Sequence, residues 1–200
     1  MTDRMKVGVL VSGSGTDLQS VIDAGINVVR VISSKKGVYA LERAAKAGIP
    51  SSSVTAGDYP DIRERMTAIA DILEKDGVEL VVLAGYLSIL TKELLDRFPG
   101  RVINIHPALL PKFGGKGFYG LNVHKAVLDA GEKESGATVH FVNEGVDEGE
   151  IIMQVKVPVM EDDTPESLQA RVLEKEHELL PAAILKLEEE KLKEEREQAK

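Results

Sequence analysis

The chain has 200 residues, a length suited to one domain and sufficient to bury a sizeable core. Hydrophobic residues make up 43% and charged residues 29%, an ordinary globular balance, and no apolar run approaches the ~20 residues of a membrane span. The net charge of −8 argues against a general nucleic-acid binder, and the absence of cysteine excludes disulfides and thiolate metal sites.

The N-terminal MTDRMKVGVL reads straight into a strand with no signal-peptide core, which favours the cytoplasm. MKVGVLVSG (5–13) predicts a buried strand ending in glycine, and TDLQSVIDAG (16–25) a short helix. NVVRVISS (27–34) is a second strand, followed by the helix YALERAAKAG (39–48) and a weaker strand, SSSVTA (51–56). Residues 61–77 place Met66, Ile69, Ile72 and Leu73 on one helical stripe. VELVVLAG (78–85) is the most hydrophobic strand and belongs at the sheet centre. RVINIHP (101–107) is a strand, NVHKAVLDAG (122–131) a helix, and the strands ATVHFV (137–142) and IIMQVKVPV (151–159) can pair as a hairpin. Thr164 as N-cap and Pro165 at the first helical position open a long helix. Its end (186–200) carries 5 basic and 6 acidic residues and reads as a solvated or fraying terminus. The expected architecture is α/β: an open, mostly parallel, Rossmann-like sheet flanked by helices, with an antiparallel C-terminal edge and a long C-terminal helix.

The loop after the first strand, VSGSGTDLQS (11–20), puts Gly13 and Gly15 just before a helix N-terminus, where unpaired N–H groups and the helix dipole attract an anion. Thr16 and Gln19 fit a capping box that would start the helix at residue 16. The dinucleotide fingerprint lacks its third small residue, which is Leu18, and the loop has no Walker A lysine, so a phosphate on a small metabolite fits better than NAD or ATP. A tight turn whose glycines merely supply positive φ also fits. Asp17 suits the helix dipole yet would sit beside the phosphate.

Asn104 and His106, at i and i+2 of one strand, face the same side just before Pro107 ends the ladder. The carboxyl ends of strands in an open α/β sheet form the ligand crevice. An amide and an imidazole converging there can stabilise an oxyanion and move a proton, or the histidine can simply cap a turn. No G-x-S-x-G elbow supports a serine triad, and His106, His124, His140 and His177 are too scattered for a zinc cluster.

Taken in order, LVSGSGTDLQ, VVLAGYLSIL, RVINIHPALLPKF, SGATVHFVNEGVDEGEII and EKEHELLP resemble the glycinamide ribonucleotide formyltransferase family, folate-dependent enzymes of purine synthesis, over about residues 5–182. The resemblance implies formyl transfer from 10-formyltetrahydrofolate, as co-substrate and without a metal, to the amino group of glycinamide ribonucleotide. It places catalysis on Asn104, His106 and Asp147, phosphate binding on Gly13, Gly15, Thr16 and Asp17, and a ribose contact on Glu176. Asparagine is common in the family where this chain has Asp17. Folate contacts fall on Arg63, on Leu87, Ser88, Ile89 and Leu90, and on Asn143, Glu144, Gly145, Val146 and Asp147. Ser88 stands where an arginine is often found. His140 is placed to stack or hydrogen-bond beneath the site, or to pack in the core.

In the implied mechanism the amine attacks the formyl carbon, Asn104 and a protonated His106 bind the oxyanion, and Asp147 favours the imidazolium and relays a proton through water. Residues 1–187 would form the formyltransferase domain and 188–200 a charged tail, in a monomer or homodimer that engages neither nucleic acid nor membrane. The Gly-rich stretch 112–121 reads as a substrate lid or as a plain connection. A methionyl-tRNA formyltransferase should add a basic C-terminal domain, and a formyltetrahydrofolate hydrolase an N-terminal regulatory one. A non-catalytic binding protein would keep the phosphate loop and lose the Asn–His–Asp set.

Overall fold

In the computed structural model, residues 4–199 are described; residues 1–3 of the expected domain and Lys200 of the expected tail lie outside them. The elements are β1 (Val7–Val11), α1 (Thr16–Asp23), β2 (Val28–Ser33), α2 (Tyr39–Lys46), β3 (Ser51–Ser53), α3 (Ile62–Lys75), β4 (Leu80–Leu83), α4 (Lys92–Leu95), β5 (Val102–His106), α5 (Leu121–Asp129), β6 (Glu134–Phe141), β7 (Ile151–Pro158) and α6 (Pro165–Gln198). They form one seven-stranded sheet in the order β3-β2-β1-β4-β5-β6-β7. Strands β1 to β5 pair in parallel, while β5–β6 and β6–β7 are antiparallel. The mixed sheet matches the expected architecture, with β4 at its centre.

Burial follows the side-chain period of two. Val7, Val9 and Val11 of β1, with Ile103 and Ile105 of β5, join the cluster under α1, α2 and α6. Leu10, Val81, Leu83 and Val102 face the other way, against Met66, Ile69 and Leu73 of α3 and Leu94 and Phe98 around α4. Asn104 and His106 share the parity of Val102 and so lie on the α3/α4 side. The chain runs outward from β1 to β3 and then crosses to β4 on the far side of β1. The carboxyl ends of β1 and β4 therefore flank a topological switch point, where such sheets open a crevice.

The expected capping box at Thr16 does not form. Gly15, at φ 75, is the N-cap with no side-chain cap bond, and Thr16 is already helical. Gln19 turns outward instead, donating to Asp23 at 2.8 Å and accepting from Arg43 at 3.2 Å. At the other end of the chain the N-cap reading is met: Thr164 and Ser167 form a capping box with Pro165 at the helix start.

Helix α6 runs through residue 187 without a break, and its charged continuation is anchored. Glu188 accepts from the Met5 backbone N–H at 2.9 Å and from Arg4 at 3.3 Å, and Lys191 pairs with Glu79. Hydrogen bonds to charged groups are worth ~1.5–3 kcal/mol, and each kcal/mol shifts a chain of this size by ~2–4 °C. Truncation after residue 187 is therefore expected to lower the melting temperature by about 4–8 °C with kcat unchanged. Truncation after residue 191 should move it by less than about 2 °C. Equal melting temperatures for the two truncations, read by circular dichroism, would rule out the anchoring role of Glu188.

Candidate active site

The end of β5 meets the loop 143–150 in a compact polar cluster. The Asp147 carboxylate sits between two imidazoles, its Oδ2 3.5 Å from Nδ1 of His106 and its Oδ1 3.5 Å from Nε2 of His140. The Asn104 amide nitrogen lies 3.2 Å from Nε2 of His140, its direct cross-strand partner. His140 Nδ1–H donates to the Phe141 carbonyl at 2.9 Å, which leaves Nε2 to face both the Asn104 amide and Asp147 Oδ1. His106 Nε2–H donates to the Phe113 carbonyl at 2.7 Å. Asp147 also accepts from the Gly115 backbone N–H at 3.0 Å.

Both His106 nitrogens thus face oxygen acceptors, an arrangement that the imidazolium satisfies best. Burial opposes it: desolvation pulls the His106 pKa below the ordinary imidazole value and outweighs the raising effects of Asp147 and the Phe113 carbonyl. The expected bias toward imidazolium is present as a force but does not prevail in the ligand-free site. For Asp147, burial pushes up, while the His140 hydrogen bond, the His106 charge and the Gly115 N–H together leave its pKa below the ordinary carboxylate value. Asp147 is therefore ionised near neutral pH.

Sequence reasoning missed the scaffold that holds this cluster. Thr138, fully buried opposite His106, donates to the Ala108 carbonyl at 2.7 Å and accepts from the Leu110 N–H at 3.2 Å. Gln154 on β7 donates to both Thr138 and the Leu110 carbonyl at 2.9 Å. These bonds fix the turn after Pro107. Residues 112–121, open between lid and connection, supply Phe113 O to His106 and Gly115 N to Asp147. A Cβ on Gly114 would lie 2.5 Å from Leu110 Cδ2 and 3.3 Å from Asp147 Cβ, so a side chain there would displace the Leu110 methyl and crowd Asp147. A cleft of about 770 Å³ opens here, lined by Leu110, Gly115, Val146, Asp147 and Glu148 among others.

The two loops expected to hold folate border the cluster. Leu87 is 63% and Ile89 67% exposed, and Val146 of the second loop is 47% exposed. Large apolar side chains left open at a sheet's carboxyl end suit a flat ring system. The Leu87 N–H donates to Ser12 Oγ at 2.9 Å, tying this loop to the one after β1. Glu144 approaches Lys92 of α4 at 3.8 Å, and Asn143 accepts from the Gly145 N–H at 2.9 Å. Ser88 is half-buried beside Tyr86, and Leu90 packs partly against the α3/α4 core. Arg63 makes its ion contact away from Asp147 and its histidines: its side chain is 78% exposed and reaches Glu93 at 4.0 Å.

On the other side of the crevice, the glycine loop is clamped by α2. Gly15 has φ 75, and a Cβ there would lie 2.6 Å from Ala40 Cβ and 2.8 Å from Ala40 Cα. The Gly13 carbonyl accepts from the Ala40 N–H at 3.2 Å and the Ser14 carbonyl from Arg43 Nε at 2.8 Å. Gly13 itself has open space around its Cα, so it is the approach of α2 at Gly15 that requires glycine. Asp17 in the first turn of α1 faces Glu176 and His177 of α6 rather than solvent, with Oδ1 3.6 Å from His177 Nε2. The loop after β1 and the end of β5 are two strand spacings apart, ~10 Å.

The chain matches the family model described as formyl transferase over residues 5–184. It is 43% identical over 185 residues to the phosphoribosylglycinamide formyltransferase of Haemophilus influenzae, covering 90% of this chain and 85% of that one. It is 44% identical over 197 residues to the chloroplastic phosphoribosylglycinamide formyltransferase of Arabidopsis thaliana, covering 95% of this chain and 68% of that one. The crystal structure of glycinamide ribonucleotide transformylase 1 from Symbiobacterium toebii superposes with a TM-score of 0.89 at 42% identity, over 94% of this chain and 90% of that one. On this shared length, identity and fold, the chain belongs to the formyl transferase family.

Proposed function

We propose that this protein is a phosphoribosylglycinamide formyltransferase, moving the formyl group of 10-formyltetrahydrofolate to the amino group of glycinamide ribonucleotide. The observation that carries the reading is the Asp147 carboxylate held 3.5 Å from both His106 and His140, beside Asn104, at the end of β5. The glycine loop two strands away, ~10 Å, leaves room for a phosphorylated substrate whose amine reaches this cluster. The exposed Leu87, Ile89 and Val146 offer a surface for the pterin.

The amine attacks the formyl carbon and negative charge develops on the formyl oxygen. Asn104 donates to that oxygen through its amide N–H. His106 makes the second contact, and the growing oxyanion adds to Asp147 and Phe113 O in favouring the imidazolium against burial. His106 takes this proton from solvent as the tetrahedral intermediate forms and gives it back when the intermediate collapses, so its protonation is coupled to the step where it counts most. Asp147, ionised and in contact with both imidazoles, takes the proton lost by the attacking nitrogen through a water and returns it to the leaving folate nitrogen. No covalent enzyme intermediate is required.

Arg63 serves the folate tail only by reaching past Glu93, and Ser88 provides no charge where the family often has one. The enzyme acts as a monomer or homodimer in the cytoplasm. The test is folate turnover with and without glycinamide ribonucleotide. Tetrahydrofolate should form only when the ribonucleotide is present, in equal amount to formylated product. Turnover to formate without an acceptor would identify a hydrolase instead, and formylation of methionyl-tRNA would move the acceptor to another class.

A further inference from the structure

At the phosphate end of the crevice three ionisable side chains, Asp17, Glu176 and His177, are packed together. Asp17 Oδ1 and His177 Nε2 are both buried atoms without a partner, and they face each other at 3.6 Å. Glu176, 7% exposed, lies beside Asp17. Such groups are costly to bury unless they share charge or protons, or a ligand completes them. The cleft of about 440 Å³ alongside is lined by Thr16, Gln19, Ser20, Asp23, Arg43 and His177.

We propose that Asp17, Glu176 and His177 form a proton-holding cluster at the substrate's phosphate end, so that the ribonucleotide phosphate is bound together with a proton. The inference rests on the reading of the ribonucleotide as substrate and extends it to how this chain tolerates a carboxylate at that position. Two adjacent carboxyls and one imidazole hold a variable number of protons. A phosphate arriving at the α1 N-terminus brings nearly two negative charges, and the least costly response is for the cluster to take up a proton. Protons already sit high on both carboxyls: burial raises Asp17 against the lowering pull of His177, and burial and then Asp17 raise Glu176.

The surrounding charges do not cancel the cluster. On α2, Arg43 is spent on the Ser14 carbonyl and on Gln19, and on α1, Asp23 accepts from Gln19. Among the described residues, α6 places Glu176 and His177 against Asp17. The sign follows: since binding takes up a proton, affinity for the ribonucleotide weakens as pH rises. One proton sets a limit of about tenfold per pH unit.

The experiment is isothermal titration of the full-length protein with glycinamide ribonucleotide in buffers of high and low ionisation enthalpy. Between about pH 7 and 8 we expect uptake of ~0.5–1 proton per ribonucleotide and a Kd that rises about 3–10-fold. The Asp17→Asn protein, which keeps the side chain's shape, should take up less than half as much, with a Kd that rises less than about twofold. The substrate's own phosphate titrates in both proteins, so it drops out of the comparison. His177→Gln removes the imidazole that faces Asp17 but leaves both carboxyls. It should weaken binding several-fold at neutral pH while proton uptake persists, and an unchanged Kd would overturn the role given to His177. Tight binding without proton uptake, or equal uptake by wild type and Asp17→Asn, overturns the cluster and leaves the activity reading intact. Failure of the ribonucleotide to bind at all overturns both.

Discussion

The Asp147→Asn protein is expected to lose about 10²–10⁴ in kcat, the usual worth of a positioned acid–base group, with folate KM changed less than about threefold. The substitution is gentle in shape. Asn tolerates the left-handed backbone that Asp147 adopts at φ 58, and its amide oxygen can still accept from the Gly115 N–H. What disappears is the negative charge that touches His106 and His140, and with it the oxygen proposed to take the proton. Because the Asp147 pKa lies below the ordinary carboxylate value, wild type holds the ionised form throughout roughly pH 6–9, and the variant cannot regain it anywhere in that range. A second signature has a definite sign. Asp147 raises the His106 pKa, so removing it lowers that pKa further, and any loss of rate with rising pH that tracks the imidazolium moves to more acidic pH. Near-normal kcat at any pH in that window would remove Asp147 from the mechanism.

The architecture was legible because it rests on local periodicity. The fully buried, valine-rich run of β1 and the single stripe of α3 announce themselves within a few residues, and Asn-x-His at a strand end puts both side chains on one face whatever follows. Long-range consequences were not legible. Thr16 and Gln19 satisfy the spacing of a capping box, yet Ala40 of α2, packed against Gly15, decides how that helix begins. Thr138 and Gln154 look like ordinary strand residues, and their hold on the turn after Pro107 depends on the register of β5, β6 and β7. His177 is remote in sequence from Asp17 and becomes its neighbour only when α6 lies across α1. The protonation balance at His106 was hidden for a different reason. Sequence shows the carboxylate partner but not the depth of burial, and here burial is the larger force.

The charged tail makes the same point from the other direction. Composition alone describes a helix end without an apolar stripe, and charge runs of that kind are usually solvated. The acceptor that Glu188 offers to the Met5 N–H ties the C-terminal helix to the first strand, a contact between chain ends that no local pattern encodes.

Asn104→Ala is expected to lower kcat by about 10²–10³, equivalent to ~2.7–4 kcal/mol of transition-state stabilisation, with both substrate KM values nearly constant. The amide stands at the carboxyl end of β5, half-buried, with its nitrogen 3.2 Å from His140. Its loss leaves His140 Nε2 without that partner, but Asp147 Oδ1 remains 3.5 Å away, so the fold has an alternative contact and should melt within a few degrees of wild type. A purely structural asparagine would show the reverse: lower stability and little change in kcat. The interaction with His106 is testable in the same series. If both side chains bind one oxyanion, the Asn104→Ala/His106→Ala protein should be less impaired than the product of the two single losses, since each removes much of what the other stabilises. Strict multiplicativity would assign the two residues to separate steps. A loss below about tenfold for Asn104→Ala alone, or one expressed only in KM, would place the oxyanion donor elsewhere in the site.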